Sequence, residues 1–159
     1  MLRFGVLAFA LALTGCAENG GEAAAETAAQ AAALEVEYFR SESTAGRNLP
    51  FSDAVRVGRM LYVSGQIGTD STGALVTGGI GPETRQTMEN IRAELERHGL
   101  TMDNVVKCLA MVADISEWGA MNEVYRTYFT KNLPSRSAFG ANGLALGARI
   151  ELECWAVFP

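Results

Sequence analysis

Apolar and polar residues alternate with a period of two over several short runs of this chain, and with a period near 3.6 over two longer ones. The alternation is cleanest near the end. Ile150, Leu152, Cys154 and Ala156 share one face, and Glu151, Glu153, Trp155 and Val157 the other. This predicts a strand over 149–158 whose first set packs under helices. Residues 54–58 and 60–65 are β-rich runs joined at Gly58-Arg59, a hairpin signal. In the second run Leu61 and Val63 point one way, and Met60, Tyr62 and Ser64 the other. Both sets are fairly apolar, which suggests a sheet covered on both sides. Further strands are predicted over 36–40, 105–113 and 135–140, with turns at Asp70-Ser71-Thr72-Gly73 and Thr77-Gly78-Gly79.

The helical period appears twice. Pro82 opens a helix that runs to His98 and is closed by Gly99; Met88, Ile91 and Leu95 form its apolar stripe. Ser116 caps a second helix to about residue 131, with Trp118, Met121, Tyr125, Tyr128 and Phe129 as its buried stripe. The order of elements is strands, helix, strand, helix, strands. That order describes an α+β fold: a mixed sheet with two helices packed on one face. The other sheet face carries Met60, Tyr62, Trp155 and Val157 with no helix left to cover it. Such a face usually meets another subunit.

The start of the chain belongs to none of these elements. Arg3 and the apolar run 4–13 form an export signal too short to span a bilayer. It ends in Leu13-Thr14-Gly15-Cys16, which resembles the bacterial lipobox, with Cys16 as the lipidated residue. Ala17 carries no inner-membrane retention signal, so the expected place is the periplasmic side of the outer membrane. Residues 17–34 are Ala/Glu-rich with almost nothing bulky to bury, and read as a flexible tether. The three parts are therefore 1–16, 17–34 and a folded domain over 35–159, with the lipid anchor as the only membrane contact.

Charge removes one class of partner. The net charge is −5 over 159 residues, and the charges between Cys16 and Tyr38 are all glutamate. The acidic excess belongs to that stretch, whose removal leaves the rest of the chain nearly balanced, and a nucleic-acid partner is not expected. The candidate chemistry lies in Leu133-Pro134-Ser135-Arg136-Ser137 and in Arg149-Ile150-Glu151-Leu152-Glu153. The residues between, Ala138 to Ala148, are small and Gly-rich and hold no charge. An arginine beside uncharged backbone grips a carboxylate with two parallel hydrogen bonds, and a nearby glutamate moves a proton or orients water. Taken alone these residues read first as a surface arginine and a solvated glutamate, because ion pairs are commoner than sites. Glu151 in an ion pair with Arg149 or Arg136 would need no substrate.

Other signals are weaker. Gly78-Gly79-Ile80-Gly81 lacks the lysine and third glycine of phosphate loops and reads as a turn. His98 sits near a helix end, where a cation complements the dipole, and has no evident triad partners. Cys108 and Cys154 lie on predicted strands without metal-ligand spacing. An oxidising compartment permits a bridge between them, but two buried free thiols are the first expectation, because bridge geometry is narrow.

Several short motifs then converge. Met60-Leu61-Tyr62-Val63-Ser64-Gly65-Gln66-Ile67 comes first, then Gln86-Thr87-Met88-Glu89-Asn90-Ile91, Val105-Val106-Lys107 and Met121-Asn122-Glu123-Val124-Tyr125. Tyr128-Phe129, Pro134-Ser135-Arg136-Ser137 and Ile150-Glu151-Leu152-Glu153 complete the set. In this order and spacing the chain resembles the Rid (YjgF/YER057c) family of enamine/imine deaminases over nearly all of 49–158. The resemblance implies a chorismate-mutase-like (YjgF-like) fold and a homotrimer around a central barrel of sheets, with clefts between subunits. It implies that Arg136 clamps a substrate carboxylate and Glu151 positions the hydrolytic water. Ser64, Gly65 and Asn122 would line the cleft.

Two positions depart from the pattern: Phe51 stands where the deaminases carry tyrosine, and Ala138 where many carry cysteine. The loop Asn142-Gly143-Leu144-Ala145-Leu146-Gly147 also lacks the usual Leu-Pro pair. The implied reaction is hydrolysis of small 2-imino acids to 2-oxo acids and ammonia, with no cofactor and no metal required. The rival reading is a non-catalytic, trimeric small-molecule-binding or holdase-like envelope lipoprotein.

Overall fold

Residues 35–159 are described by the computed structural model. The expected signal, Cys16 and the tether lie outside the described residues. The elements are β1 (Val36–Phe39), α1 (Glu42–Gly46), β2 (Ala54–Val57), β3 (Met60–Ile67), α2 (Ile80–Arg97), β4 (Val105–Val112), α3 (Trp118–Tyr125), β5 (Ser135–Gly140) and β6 (Ile150–Val157). The six strands form one sheet in the order β1-β2-β3-β6-β4-β5. Only β4 and β5 run parallel, and the chain between them contains α3, as a parallel crossover requires.

The alternation along β6 is realised in full: Ile150, Leu152, Cys154 and Ala156 are buried and the residues between them are half-buried. The buried set meets the stripe of α2, where Met88, Ile91 and Leu95 are fully buried together with Thr84 and Thr87. The β2–β3 hairpin turns where expected, with Gly58 at φ 56°, a conformation that favours glycine. Arg59 then ties the hairpin to the chain end, donating through Nε and Nη2 to the Phe158 carbonyl at 3.1 and 2.8 Å.

Helix boundaries differ from expectation. α2 starts at Ile80, because Gly79 (φ 93°) breaks the chain there and Pro82 sits within the first turn. α3 is shorter than predicted and passes at Tyr125 into a 3₁₀ turn over Arg126–Tyr128. Its approach is capped by Asp114, whose side chain accepts from the Ser116 amide, and not by Ser116. Of its predicted stripe Met121 and Tyr125 are buried, Tyr128 and Phe129 are half-buried, and Trp118 is 45% exposed. The short helix α1 was not predicted. It is held by Asp53, which accepts from the Ser41 amide and from the Thr44 hydroxyl. The same bonds hold the Asp53 carboxyl below its usual range, against the opposing effect of burial.

The two cysteines also depart from expectation. Antiparallel pairing sets Cys108 directly opposite Cys154, both side chains fully buried on the helix side, and they form a disulfide. The register that makes them neighbours is a long-range property, 46 residues apart in sequence.

On the face away from the helices, Tyr62 pairs with Trp155 across β3 and β6, their rings 5.5 Å apart. Tyr62 and Val106 are exposed there, so among the described residues nothing covers this apolar face. No helix of the described residues is long and apolar enough to cross a membrane.

Candidate active site

Arg136 is the second residue of β5 and lies beside Cys108 of β4. Residues directly opposed across strands share a face, so Arg136 points with Cys108 toward the helices. There it meets α3. Its Nη2 donates to Asn122 Oδ1 at 2.6 Å and its Nη1 lies 3.6 Å from Met121 Sδ. Its Cζ stands 4.5 Å from the centre of the Tyr125 ring and 5.9 Å from that of Trp118. Two aromatic faces and an amide thus hold the guanidinium without neutralising it. Among the described residues no carboxylate pairs with Arg136. Burial pushes the Tyr125 hydroxyl up to about 12, against the opposing pull of Arg136, so it stays a neutral phenol. Trp118, Asn122, Tyr125, Leu133, Pro134 and Arg136 line an open cleft of about 400 Å³.

Glu151 is the second residue of β6 and pairs with Met111 and Ile67. Its neighbours Ile150 and Leu152 are buried under the helices, so strand alternation turns Glu151 to the opposite face. It lies in a second cleft of about 290 Å³, with Phe51, Ser64, Gly65, Ile67 and Ala145. A β-bulge shapes this cleft. Between Val63 and Gln66 the β3 strand carries one residue more than β6 does, which brings Ser64 and Gly65 to the carboxylate. A Cβ at Gly65 would lie 2.1 Å from Glu151 Oε1, so only glycine fits under the carboxylate as it stands. Ser64 is fixed by donating to the Ser52 carbonyl at 2.7 Å.

The Glu151 carboxyl is raised above its ordinary range, chiefly by burial and further by repulsion from Glu153. The ion-pair alternative is not what the structure shows: Arg149 Nη1 pairs with Glu117 at 2.8 Å and Arg136 with no acid. A half-buried, unpaired carboxylate of raised proton affinity is suited to take and return a proton.

The residues named from sequence therefore fall into two groups. Arg136 and Asn122 stand together on the helix side. Glu151, Ser64, Gly65 and the half-exposed Phe51 stand together on the other face. Ala138, two residues after Arg136, faces the helix side, packs partly against the core and lines neither cleft. Among the described residues of one protomer, Arg136 and Glu151 line separate clefts. Trp118 and Tyr125 were missed as site residues, because a stripe at positions 118, 121 and 125 reads as core. The signal was Asn122, a polar residue beside that stripe. His98 serves the fold instead: its Nε2 lies 3.1 Å from Glu94 Oε1 and its ring 4.4 Å from that of Phe39.

The family profile described as endoribonuclease L-PSP matches residues 43–158, most of the chain. The chain belongs to the L-PSP family. Among L-PSP family proteins it is 47% identical over 108 residues to the 2-iminobutanoate/2-iminopropanoate deaminase of Rattus norvegicus, covering 67% of this chain and 79% of that one. Of solved L-PSP structures, that described as a putative endoribonuclease L-PSP from Entamoeba histolytica is 38% identical with a TM-score of 0.66, over 69% of this chain and 88% of the other. YyfA of Yersinia pestis, described as of the conserved Rid protein family, is 32% identical with a TM-score of 0.72, over 78% of this chain and all of its own. The L-PSP, or Rid, fold is thus the mixed α+β sheet with helices on one face, and imine deamination is an activity of its relatives.

Proposed function

We propose that this chain hydrolyses small 2-imino acids to 2-oxo acids and ammonia, in clefts shared between copies of a homotrimer. The observation that carries the reading is the pair of half-sites: an acid-free arginine fork and a half-buried unpaired glutamate, each complete except for the other. Arg136 of one copy, facing Glu151 of its neighbour, makes one cleft with a carboxylate clamp at one end and a base at the other. The uncovered sheet face with Tyr62 and Trp155 supports the assembly.

In that cleft an enamine first tautomerises to the imine. The guanidinium holds the substrate carboxylate, and Glu151 takes a proton from water as the oxygen bonds to the imine carbon. The C=N π electrons move to nitrogen. Glu151 then gives that proton to the nitrogen, making an amino group. It next carries the hydroxyl proton to the same nitrogen, so that the C–N bond breaks with its electron pair on NH3 as the oxygen forms C=O. The chain is further read as exported and held to the membrane through lipidated Cys16, which lies outside the described residues. The Cys108–Cys154 bridge supports an oxidising compartment.

The test is ammonia release from an imine generated in situ by an amino-acid oxidase. A wild type that releases no ammonia above background refutes the deaminase reading and leaves the binding-module one. Shared clefts are tested by mixing two inactive variants, Arg136→Ala and Glu151→Gln, after dissociation and reassembly. Random assembly in a closed ring restores about a quarter of the clefts. No recovered activity, or a monomer by light scattering, refutes the shared cleft.

A further inference from the structure

Glu83 stands in the first turn of α2 and is 4% exposed. A buried carboxylate is costly to desolvate unless it is paired or well hydrogen-bonded. Among the described residues no cation pairs with it. Its Oε1 instead accepts from the Arg149 amide at 2.6 Å and faces the Ile150 amide at 3.4 Å. These are the two amides that immediately precede Glu151. On the other side the chain leaving β3 lies directly on Glu83: a Cβ at Gly68 would meet Glu83 Cγ at 2.5 Å and its carbonyl oxygen at 2.7 Å. One side chain thus touches both segments that build the Glu151 cleft, the start of β6 and the end of β3. It does not cap its own helix, and the Arg149 side chain is engaged elsewhere, with Glu117.

We propose that Glu83 is a positioning residue for Glu151, an inference that rests on the deaminase reading. Its buried carboxylate pins the amides of residues 149 and 150, and so sets where the Glu151 carboxylate stands against Gly65.

Two variants test this. Glu83→Gln keeps an acceptor oxygen at the same reach, and its kcat stays within about threefold of wild type. Glu83→Asp withdraws the acceptor by about one carbon–carbon bond, roughly 1.5 Å. Its kcat falls about tenfold or more with KM unchanged, since Arg136 still holds the substrate. The acid limb of its kcat–pH profile also moves, because a displaced Glu151 has a different solvent environment. A purely structural residue would loosen both half-sites, raising KM and leaving the limb in place; that outcome overturns the proposal. So does Glu83→Asp with wild-type kcat, or Glu83→Gln with a loss beyond tenfold. A wild type without deaminase activity would take down the proposed function and this inference together, whereas an active wild type with an indifferent Glu83→Asp takes down the inference alone.

Discussion

Gly65→Ala is the sharpest test of where Glu151 does its work. Gly65 has an ordinary negative-φ backbone, so alanine adds no backbone strain there. What it adds is one methyl group, 2.1 Å from Glu151 Oε1 and 3.0 Å from its Cδ. Ordinary contact begins near 3.4 Å, so the carboxylate must retreat by about 1.3 Å. Glu151 is a flexible, half-buried side chain, and it can swing away without moving β6. The expected cost in stability is therefore small, within about 1 kcal/mol. The expected cost in rate is not small. Displacing a proton-transfer group by about 1 Å costs about a hundredfold, equivalent to about 2.7 kcal/mol of barrier. The assay is steady-state ammonia release from 2-iminopropanoate generated in situ, with thermal melting and binding of a small carboxylate in parallel. We predict kcat down about a hundredfold, melting little changed and carboxylate binding unchanged, because the clamping Arg136 is supplied by the neighbouring copy and the added methyl group meets Glu151 of its own chain. Wild-type kcat in Gly65→Ala would falsify the assignment of Glu151 as the proton-transfer group in this position.

Other outcomes follow from the same geometry. Arg136→Lys keeps the charge but loses the planar fork, so kcat/KM should fall tenfold to a hundredfold or more, the worth of a charge-assisted bond of roughly 1.5–3 kcal/mol, and Arg136→Ala should fall further; full activity in either moves the clamp elsewhere. The base must be deprotonated, and the Glu151 carboxyl is raised, so turnover should fall as pH drops through a value above that of an ordinary glutamate. Glu153→Gln, which removes the smaller of the two causes, should shift that limb to lower pH, and an unmoved kcat–pH profile would count against it. Replacing Cys108 and Cys154 by alanine opens a loop of 46 residues and should cost about 4 kcal/mol by loop entropy, read as a fall in the denaturant midpoint that reducing agent reproduces in the wild type. Cys16→Ser should release the chain from the membrane fraction or leave an uncleaved precursor; unchanged partition rules out a lipid anchor there.

Much of this protein is written in its local pattern. The alternation of Ile150, Leu152, Cys154 and Ala156 sorted β6 into a buried and an outer face, because a strand's geometry forces that sorting whatever lies beyond it. The spacing of Met88, Ile91 and Leu95 placed the stripe of α2, and Gly58 marked the hairpin. The motif around Arg136 and that around Glu151 named the two charged residues of the candidate site. Which faces Arg136 and Glu151 take relative to each other was not in the alternation, because it depends on the registers of β5 and β6 against β4.

What packing decided is everything that depends on register between distant segments. Pairing of β4 with β6 set Cys108 against Cys154 and turned two expected thiols into a bridge. The bulge at Ser64 and Gly65 exists only relative to β6, and it is what brings Gly65 under Glu151. Trp118 reads as core by helical period and is exposed, because α3 is short and its first turn overhangs the Arg136 cleft. Glu83 shows no pattern at all in the sequence, since its partners are amides 66 and 67 residues away in the chain. Periodicity is a property of neighbouring residues and survives in the sequence. Register is a balance of contacts between segments that the chain brings together only on folding.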